Sequence, residues 1–178
     1  MLELSSNKVK VLGIFGRLSA KQEACFDNLE AKYSRKPSGN EFSVFRHLTL
    51  TFIPNASVGD ISTQLDLLKD LKTFLPLKIR VKRAFVKDEE SMAGKEHIAL
   101  EFDLSETKEI VDFVHKYCSE NTVATWYTKV VWFVPKEKQQ QVIKELESFE
   151  AMEFTDFYLV SNKQDEANTI YTTQRFDQ

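Results

Sequence analysis

The sequence predicts an α/β fold built as two pseudo-symmetric lobes with helices outside. Two observations lead there. Apolar periodicity switches between strand and helix in the order β-α-β-α-β-β-α-β-α-β-β, in two successive halves, which favours layered α/β architecture. One strand segment in each half also echoes the other: both end in Phe-(Ile/Val)-Pro and run into a helix. The 178 residues suffice for one unit with a sizeable core shared by two small lobes, so residues 1–178 are read as a single two-lobed domain.

The elements follow in order. Val9 to Phe15 is β-branched and apolar, a strand. Ser19 with Gln22 three residues on has the form of a capping box, and the helix it opens carries Ala24, Cys25, Leu29 and Tyr33 at helical spacing. Lys36 to Asn40 is a turn cluster. From Phe45 to Ile53 the pattern alternates, with Leu48, Leu50 and Phe52 on one face and His47, Thr49 and Thr51 on the other. Asp60 or Ser57 caps a second helix carrying Ile61, Leu65, Leu68 and Leu71. Leu77, Ile79 and Val81 then alternate with Lys78, Arg80 and Lys82, a strand with a basic face. A polar loop from Asp88 to Gly94 leads to a strand from His97 to Leu104 and a helix capped by Ser105, carrying Ile110, Val111, Val114 and Tyr117. A strand from Trp126 to Val134, a helix from Lys136 to Phe149, and strands over Phe154–Val160 and Thr169–Phe176 complete the chain, the last two flanking a polar loop, Ser161 to Asn168.

Composition narrows the function classes. Hydrophobic residues make up 42% and charged residues 29%, ordinary for a globular protein, while few Gly (5) and Pro (4) argue against long disordered linkers. The net charge of −3 gives no general attraction to polyanions, so a nucleotide or RNA site must be a local basic patch. Two cysteines, Cys25 and Cys118, have no metal-ligand spacing, which points to core thiols in a reducing compartment. No apolar run approaches a membrane span and the N-terminus lacks a signal peptide's apolar stretch, so a cytoplasmic location without membrane contact is expected. No Gly-rich phosphate loop, metal cluster or Ser-His-Asp arrangement is present; Gly13-Ile-Phe-Gly16 lacks the third glycine of a dinucleotide fingerprint. Neither a metal nor a cofactor is expected.

The echo carries the functional reading. Aligned on Phe-(Ile/Val)-Pro, His47-Leu-Thr-Leu-Thr-Phe-Ile-Pro54 matches Thr128-Lys-Val-Val-Trp-Phe-Val-Pro135, so His47 falls on Thr128 and Thr49 on Val130, 81 residues apart. His47-Leu-Thr-Leu50 in its strand, the order of elements and the closing stretch Phe154 to Ser161 through Ile170-Tyr171 resemble the two-histidine phosphoesterase superfamily, the 2′-5′ RNA ligase-like (LigT-like) proteins. The resemblance spans the whole chain. It implies an α/β fold (α+β by some schemes) with antiparallel-rich sheets facing a central cleft, and a His-x-Thr-x motif on a strand of each lobe. In that family one histidine acts as general base on the attacking hydroxyl or water, the other protonates the leaving oxygen, and the threonines bind phosphate. In-line displacement at phosphorus moves protons at opposite ends, and imidazole titrates near neutrality, so both are needed. Here the second motif reads Thr128-Lys-Val-Val131 and is degenerate. Loss of one such group costs on the order of 10²–10⁴ in rate.

Three histidines limit the substitutes. His115 lies on a helix beside Asp112 and Lys116, on a solvated side. His97-Ile-Ala-Leu100 imitates the motif 50 residues after His47; it is either a strand-end histidine or a catalytic substitute. His47 is either bonded locally at its strand's start or faces a ligand with Thr49 and Thr51. Lys78, Arg80, Lys82 and Arg83 pair with phosphate or form a solvated face. Lys129 enters the cleft only if the strand register slips by one. Trp126, Tyr127 and Trp132 stack on a base or pack the core. Arg17 and Tyr171 are further candidates.

Three functional readings remain. The first is a protein that holds a nucleotide, cyclic nucleotide or RNA end through His47, Thr49 and basic residues with lost or much reduced catalysis, possible use being sequestration of a cyclic or oligonucleotide ligand. The second is a metal-independent phosphodiesterase acting on 2′-5′ or cyclic phosphates, with His97, Lys129 or Tyr127 in place of the missing histidine. The third is a protein-interaction domain with a vestigial cleft.

Overall fold

The computed structural model describes residues 9–35, 46–88, 96–117, 125–163 and 169–171. The turn at Lys36–Asn40, most of the Asp88–Gly94 loop, Cys118 and the residues beyond Tyr171 lie outside them. The order of elements is β1 (Val9–Leu18), α1 (Ala20–Tyr33), β2 (His47–Pro54), α2 (Val58–Leu71), β3 (Leu77–Asp88), β4 (Glu96–Asp103), α3 (Lys108–Tyr117), β5 (Tyr127–Val131), α4 (Gln139–Leu146), β6 (Ala151–Lys163) and β7 (Thr169–Tyr171). The alternation read from the sequence is therefore the alternation of the fold, α+β with antiparallel pairing throughout.

Among the described residues the strands form one sheet in the order β2-β1-β6-β3-β4-β5, with β7 beside β6. Strand β6 belongs to both lobes: Ala151 to Phe154 pair with β3, while Phe154 to Lys163 pair with β1 and Leu159 to Ser161 with β7. The sheet curls until its two outer strands approach. Thr125, just before β5, donates its N–H to the Thr49 carbonyl of β2 at 3.0 Å, an isolated antiparallel bridge.

The core lies between one face of this sheet and the helices. It contains Leu12, Ile14, Leu48, Leu50, Leu100, Val130, Phe154, Phe157 and Leu159 from strands with Phe26, Leu65, Leu68, Leu71, Ile110, Val114, Val142 and Leu146 from helices. The helix starts follow local chemistry. Ser19 caps α1, its hydroxyl accepting from Gln22 N at 3.3 Å. The Gln22 side chain does not close a box; it donates to Ala151 O and accepts from Glu153 N, tying α1 to β6. Ser57 and Asp60 form the full capping box of α2. Helix α3 starts at Lys108, later than a Ser105 cap implies, because Ser105 N bonds the Asp103 carboxylate in the preceding turn. Helix α1 buries Phe26, Glu30 and Tyr33, and leaves Ala24 exposed.

The alternation predicted for β2 breaks at Thr51. Ile14 pairs with Thr51 but Phe15 with Thr49, so Leu50 is an extra residue in β2, and Leu50 and Thr51 are both fully buried. Thr51 Oγ1 donates to Gln64 Oε1 of α2 at 2.7 Å and accepts from Ile14 N at 3.1 Å. Its expected ligand-facing role is corrected: the hydroxyl fastens the bulge to the helix layer. Thr51→Val, similar in volume, leaves two buried polar partners unmet and is expected to lower stability by about 1–3 kcal/mol, measured by urea denaturation.

Candidate functional site

Strand β5 repeats the irregularity of β2. Ile98 pairs with Val131 but Ala99 with Lys129, so Val130 is the extra residue, fully buried like Leu50. The two bulges put the lobes in structural register. Phe15 and Arg17 of β1 pair with Thr49 and His47; Ala99 and Glu101 of β4 pair with Lys129 and Tyr127. The counterparts of His47 and Thr49 are therefore Tyr127 and Lys129, not Thr128 and Val130.

Burial agrees. Thr128 pairs with Leu100, is 1% exposed, and faces the core with Val130. Tyr127 and Lys129 are half-buried on the opposite face, as are His47 and Thr49. The expected placing of the degenerate second motif at Thr128 and Val130, and with it the ligand contact of Thr128, is corrected by this shift of one residue. Its cause is a longer exit from the strand. Two residues separate Thr51 from Pro54 but three separate Val131 from Pro135, and the added length is taken up where Phe133 adopts φ 54°, a conformation rare for a bulky side chain. Aligning on proline thus misplaces everything before it.

The outer strands bring these positions together. Counting back two residues in β2 and on two in β5 from the Thr49–Thr125 bridge sets His47 against Tyr127. The His47 ring stacks on Phe15, centroids 3.9 Å apart and planes 16° apart, which fixes its plane. Phe15 itself lies over Gly13, where an added Cβ would meet the Phe15 ring at 2.7 Å. On β4, the fully buried Ala99 is small enough to let the Phe85 and Tyr127 rings meet edge-on, centroids 6.1 Å apart. Lys87 Nζ stands 5.2 Å from the Tyr127 ring.

A residue that the sequence reading passed over holds the two strands in place. Arg46, immediately before β2 and 5% exposed, pairs with Glu23 at 2.8 Å, Asp27 at 2.7 Å and Glu30 at 2.8 Å on α1. Its Nε donates to Val130 O of β5 at 2.7 Å. Glu30 also accepts from Trp132 N at 3.4 Å. Burial pushes the Glu23 carboxyl above its ordinary pKa, against the pull of Arg46.

The other candidates are placed as follows. His97 has no accessible surface; Trp132 and Phe133 flank its ring at 6.0 and 5.7 Å, so its expected ligand-facing role is corrected. Trp132 is 8% exposed, with the Arg46 guanidinium 5.6 Å from its ring, and packs rather than stacks on a base. Trp126 is half-buried, and His115 is exposed on α3 with its ring 6.3 Å from that of Trp126. Arg17 is exposed opposite His47, and Tyr171 lies in β7 opposite Leu159. Arg80 and Lys82 are exposed on β3, paired with Glu106 at 3.4 Å and Glu101 at 3.7 Å. Cys25 is half-buried and unpaired by any disulfide. Among the described residues no group of three or more His, Cys, Asp or Glu is placed to hold a metal ion, and no helix is long and apolar enough to cross a membrane.

The antiparallel sheet with its helices is an α+β fold shared with the solved structures of Usb1. The solved structures similar to it include Usb1 of Kluyveromyces marxianus with uridine monophosphate (11% identity, TM-score 0.53, covering 90% of this chain and 97% of that one). Another structure of the same Usb1 has 11% identity and a TM-score of 0.54 over 92% of this chain and 98% of that one. LigT of Escherichia coli complexed with 3′-AMP has 12% identity and a TM-score of 0.46, over 93% and 99%. No family model matches the sequence, and no curated protein does.

Proposed function

We propose that the cleft binds the phosphate of a nucleotide or RNA end, with much reduced catalysis. The observation that carries this is the equivalence of His47 and Thr49 with Tyr127 and Lys129 on strands that meet. Imidazole and hydroxyl from one lobe and ammonium and phenol from the other are all able to donate hydrogen bonds to phosphate oxygens, and Lys129 adds a balancing charge. That Usb1 is seen with uridine monophosphate on the same fold supports a nucleotide ligand. Turnover needs a second group that exchanges protons near neutrality; a phenol, with an ordinary pKa of about 10, does this far less well than imidazole.

The expected outcome is saturable binding of uridine monophosphate and of 2′,3′-cyclic phosphates without added metal, seen by calorimetry. His47→Ala and Lys129→Ala should each weaken it by about tenfold, as expected for loss of a charge-assisted contact of roughly 1.5 kcal/mol. Wild-type affinity unchanged in both variants would remove the cleft as the site. Rapid hydrolysis of the cyclic phosphate would overturn the reading of reduced catalysis.

A further inference from the structure

The side chains of the cleft are bracketed by two pins between the outer strands. At one end the Thr125 N–H donates to the Thr49 carbonyl. At the other, Arg46 Nε donates to the carbonyl of Val130, the extra residue of the β5 bulge, at 2.7 Å. Between these pins β2 carries His47 and Thr49, and β5 carries Tyr127 and Lys129. One pin alone is a pivot about which two strands swing. Two pins fix both the separation and the angle of the strands.

The Arg46 pin is built to be stiff. Its side chain is 5% exposed and turned away from the cleft, towards α1. The Phe26 ring of α1 and the Trp132 ring lie 5.8 and 5.6 Å from the guanidinium carbon. Glu23, Asp27 and Glu30 share one face of α1 and hold the group by charge. Helix α1 is in turn fastened to the exit of β5. Glu30 accepts from Trp132 N at 3.4 Å, Ser34 Oγ donates to the Trp132 carbonyl, and Arg35 N donates to the Phe133 carbonyl at 3.0 Å. The guanidinium therefore joins β2 to β5 against a helix that already grips β5. The second lobe has no equivalent. Trp126 precedes Tyr127 as Arg46 precedes His47, and its buried indole N–H has no hydrogen-bond partner among the described residues.

We propose that Arg46 is a positioning residue for the cleft: it touches no ligand and sets the span between the His47/Thr49 and Tyr127/Lys129 strands, so that one phosphate is reached from both lobes. This rests on the phosphate-binding reading of the cleft given above. Groups that share one ligand are energetically coupled, and a site holds its geometry only through the residues packed behind it. With Arg46 gone the strands turn about the Thr125 bridge; one lobe keeps the phosphate and the other releases it.

The test compares Arg46→Met with Leu71→Ala. Leu71 is fully buried on α2, which packs on β1 and β6, so its truncation lowers stability without touching the pins. Amide hydrogen exchange reads the span without ligand. Relative to the amides of β3 and β4 in the same protein, Thr125 N–H should exchange faster in Arg46→Met and not in Leu71→Ala. Calorimetry reads the consequence. Arg46→Met should bind uridine monophosphate about tenfold more weakly than wild type, the loss of one lobe's charge-assisted contact, and Leu71→Ala should bind it as wild type does. Adding Lys129→Ala to Arg46→Met should cost little, although the same change in wild type costs about tenfold. If Arg46→Met does not fold, Glu30→Gln takes its place: its amide oxygen still accepts from Trp132 N while one charge leaves the guanidinium, and both readouts should move in the same direction by less. Thr125 exchange that keeps pace with β3 and β4 overturns the positioning role. So does wild-type affinity in Arg46→Met, or an equal loss of affinity in Leu71→Ala; in these cases the cleft reading stands on His47 and Lys129. Wild-type protein that binds no uridine monophosphate removes the cleft reading and the positioning role together.

Discussion

Arg46→Met should destabilise the protein by about 3–5 kcal/mol, the cost of leaving a buried ion pair without one partner. At roughly 2–4 °C per kcal/mol for a chain of this size, the melting temperature falls by roughly 6–20 °C. The guanidinium meets three carboxylates of α1 and a backbone carbonyl of β5 at once, and it precedes His47 by one residue. Its loss leaves Glu30, 8% exposed, and the partly buried Glu23 without their cation. Arg46→Lys should recover little, because one ammonium does not reproduce the planar fork. The deficit has a pH signature. Burial already holds Glu23 above its ordinary pKa, and without Arg46 the larger part of the opposing pull is gone, leaving only that of Arg17, so it rises further. A carboxyl with a raised folded pKa binds more protons folded than unfolded, so its contribution to stability falls as pH rises. The deficit of Arg46→Met is thus largest above the raised folded pKa and shrinks as pH drops through it towards the ordinary value of about 4.3. Denaturation at pH 5 and pH 8 measures this; equal deficits at both would show that Glu23 does not carry the cost.

The second large effect is a gain. Tyr127→His with Lys129→Thr writes His-x-Thr-x at the positions equivalent to His47 and Thr49. Hydrolysis of a 2′,3′-cyclic phosphate should rise by about 10²–10⁴, the contribution of a positioned general acid, and His47→Ala should abolish the gain. Thr128→His with Val130→Thr, the pair that alignment on proline suggests, should instead damage the fold. Thr128 and Val130 sit in the core, and an imidazole there is overpacked, at about 1–3 kcal/mol, and buried without a designed partner. Activity in the second double variant and none in the first would overturn the register drawn here.

The contrast between these variants marks where sequence reading runs out. Hydrophobic periodicity fixed the order of strands and helices because each element buries one face, and Ser19 and Ser57 announced their helices because caps are local chemistry. Strand β2 was legible up to Leu50 and not beyond, because a bulge reverses the facing of every later residue and leaves no mark in composition. The same irregularity, with one more residue in the exit at Phe133, put the second motif one position out. The Arg46 cluster was half legible. Glu23, Asp27 and Glu30 recur at helical spacing, an acidic stripe on α1. The cation that turns the stripe inward comes from before the next strand, and no local pattern ties the two. His97 mimicked the motif in one dimension, yet Trp132 and Phe133 close over it in three.

The meeting of β2 and β5 has a consequence for how such a molecule tolerates change. Each outermost strand would otherwise present a bare hydrogen-bonding edge to other chains; here, among the described residues, the two edges approach each other and are joined by the Thr49–Thr125 bridge. Main-chain bonds to β1 and β4 secure the seam from behind, whatever side chains stand at 47, 49, 127 and 129. Reactivity can therefore be rewritten along that line while the architecture survives intact.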